Sequence, residues 1–302
     1  MKSKGFREKL AVRQEKVDSL VCVGLDPLPE KLPGCILARS ELKLWEKIAY
    51  WMVNIVAATA SYASLFKLQR AHYEAINEGE QALRYIIRYI HKNYPDIPVF
   101  VDCKRGDIGR TQKRYRAAHF ELDGADGINF NPYMGRDCFE ALVDLENPGR
   151  AIVGLCYTSN PAAREVQDVR LASGEFYWEF IAKSILTWAR ESGVLDSAGL
   201  VMAAAYEKPK GSGKIFSYHL KRVRELVGNS LWFLIPGIGT QGGFVKETVK
   251  AAYVEPGSIA INSSSAIIFA SIGDDYDLAA AQEAKKLRDT IRKAIYNFKI
   301  RR

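Results

Sequence analysis

A chain of 302 residues that is 48% hydrophobic can bury one large core, and no Ser/Gly/Pro-rich linker or internal repeat marks a second domain. The net charge of +8 would suit a nucleic-acid binder, but the basic residues are spread over helical segments and form no stripe, so we expect small anionic ligands and no nucleic acid. Five cysteines without a C-x-x-C pair argue against a disulfide framework and a zinc site, and no apolar run is long enough to cross a membrane.

The first residues predict an amphipathic helix and no export signal. Residues 1–9 are charged and lack the apolar stretch of a signal peptide, so we expect a cytoplasmic protein. The hydrophobic pattern predicts a helix over residues 3–18 that lies across one end of the fold. Residues 20–25 form a near-continuous apolar run, typical of a buried parallel strand, that ends at Asp26. Asp26 is either a turn residue before Pro27 or a polar group at the carboxyl end of a barrel strand.

The next two strands each lead to charged side chains. After a helix predicted over residues 40–60, a strand over residues 62–66 leads to Lys67. This lysine either reaches into solvent or faces an acid on the neighbouring strand. A helix over residues 80–94 follows, and the apolar run 97–100 then predicts the third strand.

The stretch that begins at Asp102 carries most of the predicted chemistry. In an extended strand Asp102 and Lys104 lie two residues apart, so their side chains point to one face and place a carboxylate beside an ammonium. The nearby glycines allow Asp107 to turn out of the strand, toward the same patch or toward a neighbouring molecule. A structural ion pair is the alternative, but charges at a buried strand end perturb one another's pKa and cluster at functional sites.

Further apolar runs and helical patterns complete the fold. The runs cover residues 126–130, 151–156, 199–204, 231–235 and 258–262, and the helices cover residues 176–192 and 277–298. Eight strands that alternate with helices predict an α/β fold, a (β/α)8 TIM barrel that forms a single domain over residues 1–302. Its first helix lies within residues 1–18 and its last within residues 277–302.

Three loops after the later strands suit ligand binding. Residues 157–161, which include Ser159, carry hydroxyl and amide groups that suit either the edge of a heterocycle or a plain turn. Residues 206–214 form a flexible basic loop, which is either a lid over an anion or a solvated excursion. The glycine-rich residues 236–243 open a helix, where free N–H groups make a natural phosphate cradle.

The string D-x-K-x-x-D-I-x-x-T resembles the signature of the orotidine 5'-phosphate decarboxylase family. Its fixed positions are Asp102, Lys104, Asp107, Ile108 and Thr111. The resemblance extends over residues 20–271 and is closest to the longer bacterial group, which shares the strings F-K-x-Q, T-S-N-P and P-G-I-G-x-Q-G-G. It implies decarboxylation of orotidine 5'-phosphate (OMP) to uridine 5'-phosphate (UMP) in pyrimidine biosynthesis, with no cofactor and no metal.

Carried over residue by residue, the resemblance implies that Lys104 donates a proton to C6 of the pyrimidine while Asp102 lies against the scissile carboxylate. Lys67 would contact ribose and join an array of alternating charge with these two residues and Asp107, and Asp26 would hold a ribose hydroxyl. The family forms homodimers in which three residues reach the partner's site, here Asp107, Ile108 and Thr111. The pyrimidine and the phosphate would be bound by Ser159, Pro236, Gly237, Gly239, Gln241, Ser264 and Ser265.

Ser265 is the one departure from the family pattern that affects the site. The family usually has an arginine here that grips the phosphate, in a string like N-S-S-R-A-I-I, whereas this chain reads N-S-S-S-A-I-I. Either Lys246 or the basic loop with Lys208, Lys210 and Lys214 supplies the missing charge, or the substrate differs. Two alternative functions therefore stay open: a magnesium-dependent sugar-phosphate decarboxylase or aldolase of the same superfamily, and a catalytically silent nucleotide-binding barrel.

Overall fold

Eight parallel strands close into a barrel in the computed structural model, which describes residues 5–238 and 244–300. Counting two short strands outside the barrel, the strands of the described residues are Val21–Gly24 (β1), Ala63–Gln69 (β2), Val99–Arg105 (β3), Gly127–Phe130 (β4), Ala151–Tyr157 (β5), Ala198–Met202 (β6), Tyr206–Glu207 (β7), Ile215–Phe216 (β8), Trp232–Ile235 (β9) and Ile259–Ser263 (β10). Around the barrel the order is β1-β10-β9-β6-β5-β4-β3-β2, whereas β7 and β8 form a separate hairpin. The predicted (β/α)8 barrel is confirmed.

Helices follow the strands and cover the barrel. They are Phe6–Val17 (α1), Gly34–Leu37 (α2), Leu44–Thr59 (α3), Arg70–Glu74 (α4), Gly79–Asn93 (α5), Gly109–Arg116 (α6), Arg136–Glu140 (α7), Ala163–Gln167 (α8), Tyr177–Glu191 (α9), Tyr218–Val227 (α10), Val245–Ala252 (α11), Ser265–Ile268 (α12) and Tyr276–Lys299 (α13). Short 3-10 turns span Pro29–Lys31, Pro132–Met134 and Leu195–Ser197, and a π-helix spans Ala117–Leu122. None of the helices described combines the length and the apolar character that a bilayer crossing needs.

The first helix packs against one end of the barrel. Phe6 and Leu10 of α1 lie four residues apart on one helix face, and both are fully buried. The Phe6 ring stacks on Trp232 of β9 with 5.2 Å between ring centroids, and both belong to the cluster of side chains that fills the barrel interior. With this end filled, the carboxyl ends of the strands form the open face, where barrels of this kind place their sites.

The segment predicted to be a flexible loop over residues 206–214 is instead part of a short hairpin. Its strands β7 and β8 pair in an antiparallel manner, and the Tyr206 and Phe216 rings pack with 5.3 Å between centroids. The Tyr206 hydroxyl lies 3.0 Å from the Tyr157 hydroxyl and accepts a hydrogen bond from Arg164 at 3.2 Å. The hairpin is therefore fixed to the carboxyl end of β5, and its turn carries the lysines.

A buried ionic network lies beside the open face and joins the segments that follow β2 and β3. The Asp123 carboxylate is fully buried and accepts hydrogen bonds from Arg70 and, at 2.9 Å, from Arg84 Nε. His119 Nδ1 lies 3.0 Å from the same carboxylate, while His119 Nε2 accepts from Arg105 Nε at 3.4 Å. Burial lowers the pKa of His119 and so favours its neutral form, in which Nε2 accepts from Arg105 and Nδ1 carries the proton.

Substitution of Asp123 by asparagine is expected to lower the free energy of unfolding at pH 7 by about 3–5 kcal/mol, because it removes the fully buried carboxylate that Arg70 and Arg84 share and leaves these arginines only the more exposed Glu74 and Glu80. Burial alone would raise the pKa of Asp123, but the hydrogen bond from His119 and the charge of Arg70 outweigh it and lower the pKa. The stabilisation from the Asp123 carboxylate is therefore complete above the pKa that this group has in the unfolded chain. It is lost as the pH falls through the lower pKa that the group has in the folded protein. Urea unfolding at several pH values measures this, with the exposed Glu121→Gln variant as the control expected to stay within about 0.5 kcal/mol. Equal effects of the two substitutions would contradict the prediction.

Candidate active site

Four charged side chains form a row of alternating sign at the carboxyl ends of β1, β2 and β3. Lys67 Nζ lies 3.1 Å from an Asp26 oxygen and 3.6 Å from an Asp102 oxygen, and Lys104 Nζ lies 2.5 Å from the other Asp102 oxygen. Lys67 is 4% exposed and Asp102 is 9% exposed, so the middle of this row is shielded from water, whereas Asp26 is partly exposed and Lys104 is exposed. We call these residues, Asp26, Lys67, Asp102 and Lys104, the charged array.

The charged array keeps its inner members ionised. Burial alone would lower the pKa of Lys67, but the carboxylates of Asp26 and Asp102 outweigh it and raise the pKa. Burial would likewise raise the pKa of Asp102, but the charges of Lys67 and Lys104 lower it. Asp26 also accepts a hydrogen bond from the Gln69 N–H at 2.9 Å, which orients its carboxylate. An ammonium and a carboxylate are thus fixed in place before any ligand arrives.

Lys104 leaves the extended conformation of its strand. Its φ is 48°, in the left-handed region that costs a non-glycine residue about 1–2 kcal/mol. At the same point the pairing of β3 with β4 is irregular, since Val101 pairs with Ile128 but the next pair is Arg105 with Phe130. This bulge turns the Lys104 side chain back toward Asp102. The predicted contact between the two is therefore present, although the alternation of a regular strand does not produce it.

Asn129 on β4 belongs to the site and was not predicted. It is 1% exposed, and its side-chain oxygen accepts hydrogen bonds from the N–H groups of Cys103 and Lys104 at 2.9 and 2.7 Å. Its amide nitrogen donates to Asp102 at 2.6 Å. The only sequence signal was an asparagine inside the buried apolar run 126–130.

Asp107, Ile108 and Thr111 lie beside the charged array but do not join it. The Asp107 carboxylate accepts a hydrogen bond from the N–H of Ile108 at 2.8 Å, and within the described ranges no ion pair links it to Lys67 or Lys104. Ile108 is 50% exposed and Thr111 is exposed on α6. The structure thus brings three of the four predicted catalytic residues together, with Asp26 in the place of Asp107.

The predicted ligand-binding loops lie around the same open face. Gly237 has φ 98° and lies against Ser159, so close that an added Cβ would be 3.3 Å from the Ser159 Cβ. Pro236 is partly exposed, and Ser265 is exposed at the start of α12. Ser264 packs on Gly24 at the end of β1, where any larger side chain would collide with its hydroxyl. Gly239 and Gln241 lie outside the described residues.

Lys246 lies in the first turn of α11 and is exposed. It forms no ion pair with any other residue that the structure describes. Lys208, in contrast, lies 4.8 Å from the centre of the Phe216 ring and 3.9 Å from Asp168. In the same parts of the chain, no group of three or more His, Cys, Asp or Glu side chains is arranged to hold a metal ion.

Residues 19–280 match the sequence model of the orotidine 5'-phosphate decarboxylase / HUMPS family. The chain is 37% identical to an orotidine 5'-phosphate decarboxylase of Variovorax paradoxus, over 96% of this chain and 98% of that protein. It is 38% identical to one of Cupriavidus necator, over 95% and 97%. Among solved structures, the Leishmania donovani OMP decarboxylase superimposes with a TM-score of 0.73 at 28% identity, over 95% of this chain and 98% of that chain.

Proposed function

The chain belongs to the orotidine 5'-phosphate decarboxylase / HUMPS family, and we propose that it converts OMP to UMP and carbon dioxide in pyrimidine biosynthesis without a cofactor. The observation that carries this proposal is the charged array, in which Asp102 contacts Lys67 and Lys104 at the open face of the barrel. Curated relatives at 37–38% identity that span nearly the whole chain support the same activity.

The chemistry needs fixed charges, because the reaction offers no electron sink. Breaking the bond between C6 and the carboxylate leaves an electron pair on C6, and a proton must reach that carbon. In the proposed mechanism Asp102 lies beside the substrate carboxylate, and the repulsion between the two negative charges destabilises the bound substrate. The transition state escapes this repulsion, because there the substrate carboxylate is becoming neutral carbon dioxide. Lys104 stabilises the developing charge at C6 and transfers its proton there. Lys67 neutralises Asp102 from the buried side and, with Asp26, faces the ribose.

The ultraviolet absorbance of OMP, followed during incubation with the purified protein, tests the proposed function. A change to the spectrum of UMP is the expected result, and activity that survives a chelator separates this function from a magnesium-dependent sugar-phosphate decarboxylase or aldolase. Binding of UMP without turnover of OMP would favour the catalytically silent barrel. A protein that neither binds UMP nor converts OMP would overturn the proposal.

We further propose that the active site is completed by a second subunit of a homodimer. Asp107 makes no contact with its own charged array in the described part of the chain, and Ile108 next to it is half exposed. A carboxylate from the partner subunit beside Lys104 would give this lysine a second acid and extend the alternating charges. Ile108 and Thr111 of the same loop would then contact the partner's substrate.

Lys246 is proposed to supply the positive charge that Ser265 lacks. It lies directly after the predicted phosphate loop and is free of ion pairs among the described residues, whereas Lys208 already lies beside Asp168. The N-terminal turn of α11 adds its own positive potential at this position. The phosphate would therefore be bound by Lys246, the loop N–H groups and the hydroxyls of Ser264 and Ser265.

Replacement of Lys246 by alanine is expected to raise KM for OMP by about 10–150-fold, because a hydrogen bond to a charged group contributes about 1.5–3 kcal/mol. kcat should change little, since the phosphate is remote from C6. Steady-state kinetics measure both constants, and Lys250→Ala, an exposed lysine one turn further along α11, is the matched control. If Ser265→Arg lowered KM of the parent protein a thousandfold, the site would have no native phosphate cation and the prediction would be wrong.

A further inference from the structure

A single residue of β4 lies opposite the bulge in β3. On the β4 side, residues 102–104 face Asn129 alone, because regular pairing of β3 with β4 stops at Val101 and resumes at Arg105. The N–H groups of Cys103 and Lys104 therefore have no carbonyl partner in the β3–β4 ladder, and the oxygen of the Asn129 side chain accepts both. Buried N–H groups without a partner are costly, so this oxygen makes the bulge possible.

The hydrogen bonds also fix which way the Asn129 amide points. Its oxygen must face the two N–H donors, so its NH₂ group must face Asp102, to which it donates at 2.6 Å. Asparagine has the length to reach both sides, with an oxygen that accepts from the two N–H groups and an NH₂ group that donates to Asp102. Aspartate would accept from the two N–H groups but offer no donor to Asp102, and leucine or alanine would do neither.

We propose that Asn129 is a positioning residue that sets the geometry between Asp102 and Lys104 for the reaction. It acts through these two residues: one bond holds the Asp102 carboxylate, and two hold the backbone that turns Lys104 back toward it. This inference rests on the proposed function, because it concerns how the charged array is oriented for decarboxylation. It assigns a role to a buried strand residue that has no side-chain path to solvent and no charge of its own.

Two substitutions separate positioning from stability. Asn129→Ala is expected to lower kcat for OMP by about 10²-fold, the size of effect that a small misplacement of reacting groups produces, with little change in KM and in the affinity for UMP. Ser64→Ala is the matched control, since Ser64 is also fully buried in a barrel strand and donates to a backbone carbonyl, Val21 O, at 3.0 Å. Equal losses of kcat in both variants, or a loss that appears only in KM, would overturn the proposal.

Asn129→Asp keeps the shape and both backbone bonds, so it tests the proposal even if the alanine variant fails to fold. Asp102 is faced by Lys67 from β2 and by Lys104 from β3, with Asp26 beyond Lys67, and the new carboxylate would add a negative charge where a donor was. The acid limb of the profile of kcat against pH is therefore expected to move to higher pH, and kcat at pH 7 to fall.

An unchanged pH profile and unchanged kcat in Asn129→Asp would show that Asn129 does not act through Asp102. That result differs from failure of the proposed function, in which the parent protein itself would not convert OMP. Circular dichroism and a thermal unfolding curve for each variant confirm that the compared proteins are folded.

Discussion

Replacement of Lys104 by alanine is expected to lower kcat for OMP decarboxylation by about 10²–10⁴-fold, the range that a positioned general acid contributes. Lys104 is the exposed end of the charged array, with its Nζ 2.5 Å from Asp102 and its side chain 46% exposed, so it is the more accessible of the two ammonium groups. Lys67 cannot take its place, because it is 4% exposed and held between two carboxylates. Alanine needs the same positive φ as lysine, so the backbone cost of this position is unchanged.

The measurement is steady-state decarboxylation followed by absorbance, together with the affinity for UMP. The exposed Lys92→Ala on α5 is the control and should match the parent protein in both. A Lys104→Ala protein as fast as its parent would remove this residue from the proton-donor role. Loss of UMP binding in proportion to kcat would instead assign Lys104 to binding alone.

The barrel and the strand-end charges were predictable because they depend on local patterns. Buried parallel strands appear in sequence as apolar runs, so each predicted strand overlaps the observed one even where its ends shift by a few residues. Lys67 and Asp102 come at the carboxyl ends of two such runs, and parallel strands bring those ends to one face. Their proximity follows from counting strands alone.

The path by which Lys104 reaches Asp102 was not predictable, because it depends on pairing between strands. A two-residue period assumes an extended backbone, yet Lys104 has φ 48° and lies in a bulge. The bulge depends on Asn129, which is 25 residues further along the chain than Lys104. Asp26 likewise enters the array only because β1 lies next to β2 in the barrel. Such contacts are set by register, and no local pattern encodes register.

The hairpin of β7 and β8 shows a second limit of sequence patterns. Each strand is two residues long, too short for alternation to stand out from a loop. What holds it is an aromatic cluster assembled from distant segments, in which the His219 ring packs 4.6 Å from Tyr157 and 5.5 Å from Phe216. The local sequence pattern consists of the lysines and glycines between the strands, and this composition predicts a loop.

Asp107→Ala is expected to lower kcat by about 10²–10³-fold although Asp107 touches nothing in its own charged array. The reason is the proposed dimer, in which this carboxylate lies beside the partner's Lys104. Removing it takes away one of the charges that are fixed around the reacting carbon before the substrate binds. The exposed Asp137→Ala on α7 is a control of the same residue type and should match the parent protein.

Mixing the Asp107→Ala and Lys104→Ala proteins separates a shared site from a self-contained one. In a mixed dimer with shared sites, one site contains Lys104 from the first protein and Asp107 from the second and is intact, while the other site lacks both. After random exchange about half of the dimers are mixed, so about one quarter of the sites are intact and activity should return to about that fraction of the parent. If each site is built from a single subunit, every site in any mixture carries one of the two substitutions. The activity then stays at the level of the two variants. That outcome would place Asp107 outside the site that contains the partner's Lys104, and the dimer would then have no direct role in the chemistry.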